Sequence, residues 1–156
     1  MKKLELILIS GAAVGILLAL LNVPYQTAFS SLFLIALGII YLYLGFALFN
    51  DIPFSKIFKS ESYRGIGSWR IAIAIGTGLG LSQLTTGFML AIGNYPMTRS
   101  FLSVGLVMTA LMLLLTLIRN TKEKHQFYRN IALRCAVFII IGAIFLIING
   151  QQVQTT

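Results

Sequence analysis

The sequence predicts an all-α protein that crosses a membrane five times. Apolar residues make up 58% of the chain, only 10% of residues are charged, and the mean hydropathy is +0.90. A soluble domain needs far more charged residues to cover its surface. Five runs approach the ~20 apolar residues that a membrane helix takes. In chain order they are Leu4–Leu21, Ala28–Phe49, Ile71–Gly93, Phe101–Ile118 and Ile131–Ile148.

The first run follows Lys2 and Lys3, which gives it the outline of a signal peptide. We interpret it as a membrane span because its sequence recurs later in the chain. The stretch "VGILLALLNVPYQTAFSSLFL" begins at Val14, and "TGFMLAIGNYPMTRSFLSVGL" begins at Thr86, 72 residues further on. The identical pairs are Gly15/Gly87, Leu18/Leu90, Ala19/Ala91, Asn22/Asn94, Pro24/Pro96, Phe29/Phe101, Ser31/Ser103 and Leu34/Leu106. Shared Gly, Asn, Pro and Ser in one register indicate an internal repeat.

Each copy predicts a helix, a tight turn and a returning helix. At the turns, Asn22 and Asn94 can take the left-handed conformation that ends a helix. Pro24 and Pro96 push the residue before them out of the helical region. The two hairpins, at about 4–49 and 70–118, are therefore expected to be parallel repeats related by an axis along the membrane normal.

The fifth helix, at about 131–149, follows the second hairpin. Gly142 and Asn149 repeat the spacing of Gly15 and Asn22. With two matching residues, the sequence leaves open whether this helix begins a third copy. The predicted plan is two hairpins plus one helix.

The distribution of Lys and Arg predicts the orientation. Eleven of the 12 basic residues lie before the first run, near residues 50–70, or between the fourth run and the start of the fifth. Only Arg99 lies in the other loops. The positive-inside rule therefore predicts a bacterial inner-membrane protein with a cytoplasmic N-terminus and an external C-terminus, and cytoplasmic loops at 50–69 and 119–130. Arg70 and Arg134 lie just inside apolar runs, where we expect them to snorkel towards headgroups.

Small residues recur on single helix faces and predict close helix packing, since lipid offers no hydrophobic reward for association. The predicted packing residues are Gly11, Gly15, Ala19, Gly38, Gly45, Gly76, Gly80, Gly87 and Ala91. These faces suggest a homo-oligomer or a subunit of a larger membrane complex.

The stretch "SQLTTG", from Ser82 to Gly87, is the unusual polar segment within an apolar run. Gln83 needs a hydrogen-bond partner, because its amide cannot easily return to its own helix. One interpretation is an interhelical hydrogen bond that holds two helices together. The other is a small polar site or pore lining, formed by Gln83, Thr86 and Asn94.

The segment "DIPFSKIFKS" predicts a short interfacial helix behind an Asp51 cap. Lys56 and Lys59 could bind anionic lipid, or the segment could dock a cytoplasmic partner. The four acidic residues, Glu5, Asp51, Glu61 and Glu123, lie away from mid-membrane positions. His125 and Cys135 have no metal-ligand spacing. No catalytic residue, cofactor or metal site is predicted, and no basic patch with interleaved aromatics indicates nucleic-acid binding.

The motif "G-x-x-L-A-x-x-N-x-P", followed by a Phe-led helix, resembles small multipass membrane proteins common in Bacteroidota. It is also distantly similar to the membrane hairpin of the gliding-motility and type IX secretion motor subunit L. The resemblance covers the two hairpins, roughly half of the chain, and implies an inner-membrane protein that packs beside partners. That motor subunit carries an intramembrane glutamate for proton coupling, which this sequence lacks at mid-membrane, so motor activity is not carried over.

These observations predict a non-enzymatic subunit or scaffold of an inner-membrane complex. The alternative is a small transporter, channel or membrane-perturbing effector built around the polar segment of the third helix.

Overall fold

The structure, a computed structural model, describes residues 1–21 and 23–152. Over these residues the chain is all-helical, without strands. The long helices are α1 (Lys2–Leu20), α2 (Gln26–Phe49), α3 (Ser68–Ile92), α4 (Thr98–Glu123) and α5 (Gln126–Gln152).

Within the part of the chain that the structure describes, four helices are long and apolar enough to cross a membrane: α2, α3, α4 and the part of α5 over Gln126–Asn149. The predicted multipass membrane protein is therefore confirmed at that level. The first predicted span does form a helix, α1, but it is not among these four. The fifth crossing stays a prediction.

Helix α3 lies at the centre of the bundle and packs against α2, α4 and α5. Helix α1 packs against α2, and α5 packs against α4. The core between these helices is apolar and aromatic. Its fully buried large side chains include Leu34, Leu37, Tyr41, Leu81, Leu84, Phe88, Leu102, Tyr128 and Ile131.

Helix α2 contains a π-helical turn that its sequence did not predict. The α-helix Gln26–Ile39 passes into a π-helix at Ile40–Leu44 and returns to α-helix at Gly45–Phe49. A π-turn widens the helix locally and re-aims its side chains. Here it turns Tyr41 fully into the core. It also brings the Tyr41 carbonyl oxygen so close to Gly78 that a Cβ there would overlap it.

The turns of the two hairpins have the same backbone geometry. Tyr25 (φ 66°) and Met97 (φ 67°) are left-handed residues 72 positions apart, and each precedes the returning helix. Three backbone hydrogen bonds recur at the same offset: Leu21 to Leu17 and Gly93 to Met89, Val23 to Leu18 and Tyr95 to Leu90, and Phe29 to Tyr25 and Phe101 to Met97. Asn94 is also left-handed, at φ 51°. Its predicted counterpart Asn22 lies outside the described residues.

The segment 50–69 differs from the single interfacial helix that its pattern predicted. It forms two short 3₁₀-helices, Phe54–Lys56 and Ser60–Tyr63. The residue that precedes the first is Pro53 in an extended conformation, without a side-chain cap, so Asp51 does not cap it.

The predicted loop 119–130 is largely helical. Helix α4 continues to Glu123 and α5 begins at Gln126, with Lys124 in a left-handed conformation (φ 41°) at the corner. The end of the apolar run at Ile118 predicted the edge of the membrane, not the end of the helix. The helix continues beyond it because Arg, Lys and Glu are good helix formers.

Candidate functional site

A buried charged cluster joins α1, α2 and α5. The guanidinium of Arg134 donates two hydrogen bonds to the carboxylate of Glu5, from Nε to Oε1 at 2.8 Å and from Nη2 to Oε2 at 2.7 Å. The hydroxyl of Tyr41 donates to the same Oε1 at 3.2 Å. We call these three residues the charged cluster.

Aromatic rings enclose the charged cluster. The Arg134 guanidinium lies 5.6 Å from the ring centre of Phe49, within cation–π range. The Tyr41 ring meets the edge of Phe138 at 5.7 Å and stacks on Phe49 at 6.1 Å. The side chain of Glu5 is only 5% exposed, and that of Arg134 is 20% exposed. The ion pair is therefore largely removed from solvent.

The charged cluster corrects the expectation for Arg134. Rather than snorkelling outwards, its side chain turns into the bundle because a carboxylate 129 residues away lies at the same level. The sequence did carry a signal for this pair: Glu5 and Arg134 both lie just inside the predicted cytoplasmic end of their apolar runs. Arg70, the other inset cation, lies with its guanidinium 4.8 Å from the ring centre of Phe127.

The geometry of the charged cluster suits the positioning of helices. A bidentate arginine–carboxylate pair fixes both distance and orientation, and here it ties the first helix to the last. Both oxygens of Glu5 already accept hydrogen bonds within the chain. Removal of either charged partner would leave the other buried and uncompensated, which is the costly outcome for such pairs.

An apolar cavity of about 240 Å³ extends from the charged cluster between α1 and α5. Its walls include Ile9, Ala12, Leu37, Val137 and Phe138, with Arg134 at one end. The cavity separates α1 from α5 along much of their length. The charged cluster is thus the direct polar link between these two helices among the described residues.

The predicted polar segment of α3 divides between two faces. The hydroxyls of Thr85 and Thr86 both donate to the carbonyl oxygen of Ser82, at 2.9 and 3.0 Å. These hydroxyls line a cavity of about 250 Å³ against Gly38 of α2. Two of the three hydroxyl groups are therefore satisfied by their own helix.

Gln83 lies on a different face, half-buried and next to Leu79, which is 39% exposed. Among the described side chains none forms a hydrogen bond with its amide. The interhelical hydrogen bond predicted for Gln83 is therefore absent from this part of the chain. Asn94 is exposed in the turn, 11 residues from Gln83, which is about 16 Å along a helix. The structure does not bring Gln83, Thr86 and Asn94 into one site.

The glycines predicted to pack helices contact other helices of the same chain. Gly11 lies under the Phe33 ring and Gly15 against Ser30, both within the first hairpin. Gly38 lies against Thr85, Gly45 against Gly78, Gly76 against Met112, Gly80 against Thr109 and Gly87 against Leu102. Ala91 is buried, and Ala19 lines a cavity with Gln26 and Asn149. These faces are occupied within the chain, so a partner would have to bind elsewhere.

A second group of charges and aromatic rings lies at the α4–α5 corner. The Arg119 guanidinium lies 4.1 Å from the ring centre of Trp69 and its Nη1 is 3.6 Å from Oε1 of Glu123. The hydroxyl of Tyr128 donates to Oε2 of Glu123 at 2.7 Å. These contacts tie the start of α3 and the start of α5 to the end of α4. Part of the basic charge used to predict the orientation is therefore engaged within the chain.

No protein-family model, no curated protein and no solved structure matches this chain. The resemblance to Bacteroidota membrane proteins stays a prediction.

Proposed function

We propose that this protein is a non-enzymatic accessory subunit or scaffold of a bacterial inner-membrane complex. The proposal includes five crossings, a cytoplasmic N-terminus, and two parallel hairpins followed by one helix. The recurrence of three turn hydrogen bonds at a 72-residue offset supports the hairpin repeat. The concentration of Lys and Arg in alternate loops supports the orientation.

The observation that carries the proposal is the Gln83 amide, which lies half-buried near the middle of α3 without a hydrogen-bond partner among the described side chains. Glu5 and Arg134 satisfy each other, and Thr85 and Thr86 bond to their own helix. Gln83 instead faces outwards in the middle of α3 without a partner among the described side chains. A polar group in hydrocarbon is costly unless it is hydrogen-bonded. Its position therefore favours a role in binding another membrane helix.

The test is copurification from native membranes in a mild detergent, followed by mass spectrometry. A tagged wild-type chain is compared with the Gln83→Leu variant, and Val107→Leu on the exposed face of α4 is the matched control. We expect a stoichiometric partner with the wild type and with Val107→Leu, and its loss with Gln83→Leu. Purified wild-type protein that recovers no partner, yet carries solute across liposomes, would contradict the subunit role and support the transporter alternative.

A further inference from the structure

The apolar cavity between α1 and α5 is a crevice with two walls and a floor. Residues 9–16 of α1 form one wall and residues 133–141 of α5 form the other. Leu34 and Leu37 of α2 and Phe88 of α3 form the floor. We call this cavity the α1–α5 crevice.

The α1–α5 crevice lies at membrane depth. Its α5 wall falls inside Gln126–Asn149, and its floor falls inside Gln26–Phe49 and Ser68–Ile92, which are three of the helices that can cross a membrane. At the rim of its open side, Leu133 and Val137 are 68% and 46% exposed. The open side therefore faces lipid, and the occupant of the crevice comes from within the bilayer.

The width of the crevice selects the kind of occupant. Residues 133–141 of α5 extend over about 12 Å, and a volume of about 240 Å³ spread over that length leaves a width of about 5 Å. An α-helix with its side chains is about 10 Å across, so a helix of a partner does not fit. Water does not fill an apolar cavity. A row of methylene groups is about 4 Å across, which is the contact distance between carbon atoms. The crevice therefore accepts a single alkyl chain.

The two ends of the crevice differ in polarity. Arg134 lies at the end nearer the start of α5, whereas Ile141 lies about 10 Å further along the helix. An amphiphile in the crevice therefore has its polar end at Arg134. Nε and Nη2 of Arg134 donate to Glu5, and Nη1 donates to none of the described residues. Because the pair with Glu5 balances the charge, Nη1 offers hydrogen bonds rather than net charge, and a phosphate oxygen is the strong acceptor that suits a guanidinium.

We propose that the α1–α5 crevice binds one acyl chain of a membrane phospholipid, and that the lipid phosphate accepts a hydrogen bond from Nη1 of Arg134. Membrane helices are held together by van der Waals contact, which an empty crevice forfeits. The acyl chain supplies that contact between α1 and α5. The lipid site does not depend on the subunit role proposed above.

Native mass spectrometry of the purified protein tests the lipid site. The protein in mild detergent is titrated with a phosphatidylcholine of defined chain length, and we expect one lipid retained per chain. Ala12→Leu enlarges a side chain of the α1 wall and should weaken retention by about tenfold or more. Ala28→Leu is the matched control, because Ala28 is exposed on α2 outside the crevice.

A second variant narrows the crevice from the opposite wall. Val137→Phe changes a residue that is 46% exposed, so the fold should tolerate it, and it should weaken retention as Ala12→Leu does. Thermal unfolding identifies which variants are folded. If Ala12→Leu unfolds the protein, Val137→Phe alone decides the outcome.

Lipids with identical chains and different headgroups test the contact with Arg134. Phosphatidylcholine and phosphatidylglycerol both carry a phosphate and should bind alike, because the cluster has no net charge to favour the anionic lipid. Diacylglycerol lacks the phosphate and should bind about tenfold more weakly, as expected for loss of a hydrogen bond to a charged group.

The results that contradict the proposal are distinct. Retention of the same lipid by the wild type, Ala12→Leu and Val137→Phe places the lipid elsewhere and overturns the site. Retention of no lipid by the wild type overturns it as well. Equal binding of diacylglycerol and phosphatidylcholine overturns the phosphate contact. None of these results changes the copurification outcome expected for Gln83→Leu, so the two proposals fail separately.

Discussion

The two hairpins have the same turn hydrogen bonds but different side chains packed between their helices. In the first, Gly15 of α1 lies against Ser30 of α2. In the second, Gly87 of α3 lies against Leu102 of α4, and both residues are 72 positions further on. The turn hydrogen bonds recur at the same offset. The turn hydrogen bonds of the two hairpins therefore agree at the described residues, whereas the side chains packed beside them differ.

The first divergence exchanges a large and a small residue. In the first hairpin the Phe33 ring covers Gly11. The equivalent positions of the second hairpin hold Gly105 and Gln83, and Leu84 fills the space at Gly105. The second hairpin thus has glycine where the first has the Phe33 ring, and Gln83 where the first has Gly11.

The second divergence concerns charge. Glu5 of the first hairpin is equivalent to Thr77 of the second, and both are buried. Two consecutive residues of α5 lie beside them: Arg134 bonds to Glu5, and Cys135 lies next to Thr77. At these two equivalent positions, α5 thus contacts the first hairpin through an ion pair and the second through small, weakly polar groups.

The largest expected effect is a difference in thiol labelling, which shows whether the two turns lie on one side of the membrane. Cysteines at Tyr25 and Met97, both well exposed, should react with an impermeant thiol reagent applied to intact cells. A cysteine at Phe58, which is 95% exposed in the 50–69 segment, should react only after permeabilisation. Labelling of one turn but not the other would break the parallel relation between the hairpins.

Loss of the Arg134 side chain should destabilise the protein most among the substitutions. Arg134→Leu leaves the Glu5 carboxylate buried without its partner, which costs about 3–5 kcal/mol for such pairs. Thermal unfolding in detergent should show a large fall in the midpoint. The double variant Glu5→Leu/Arg134→Leu should recover much of it. Arg129→Leu is the control, because Arg129 is exposed and, among the described residues, bonds to Gln126 alone.

If Arg134→Leu proves as harmless as the Arg129 control, the ion pair does not hold the first hairpin. The contrast between the charged and the weakly polar contact of α5 would then have no effect on stability. If the double variant is no better than Arg134→Leu, the loss comes from packing against Phe49 rather than from an unpaired charge.

The glycine contacts offer a smaller, graded test of the same comparison. A Cβ on Gly15 would lie 2.9 Å from the backbone Cα of Ser30, whereas one on Gly87 would chiefly meet the flexible end of Leu102 at 2.7 Å. Overpacking costs about 1–3 kcal/mol, with the higher figure where backbone must move. Gly15→Ala should therefore lower stability more than Gly87→Ala.

Gly67→Ala is the control for these variants, since nothing lies within 4 Å of a Cβ there. The measurement is chemical unfolding in mixed micelles. Equal losses at the two positions would show that the α3–α4 contact is as rigid as the α1–α2 contact.

The sequence predicted what depends on local patterns. Apolar length located the helices, and the shared Asn-x-Pro motif located two turns whose hydrogen bonds are the same. It did not predict the pairing of Glu5 with Arg134, because nothing local specifies which helices meet across 129 residues. The π-turn at Ile40–Leu44 was also missed, since ordinary apolar residues form it. It lies where the Tyr41 carbonyl oxygen meets Gly78, a contact between helices that no local pattern specifies.

The smallest expected change in stability is that from loss of the Tyr41 hydroxyl. It distinguishes the contribution of the Tyr41–Glu5 hydrogen bond from that of the Glu5–Arg134 ion pair. Tyr41→Phe keeps the ring against Phe49 and Phe138 and removes the hydroxyl that donates to Glu5 at 3.2 Å. That bond is long, so its loss should cost about 1 kcal/mol. The matched control is Tyr43→Phe in the same π-turn, where the side chain is 74% exposed and no stability change is expected. The second hairpin has Leu113 at the position of Tyr41, so a hydroxyl is not required by the shared plan. A loss as large as that of Arg134→Leu would mean that the π-turn, rather than the ion pair, holds α1 in place.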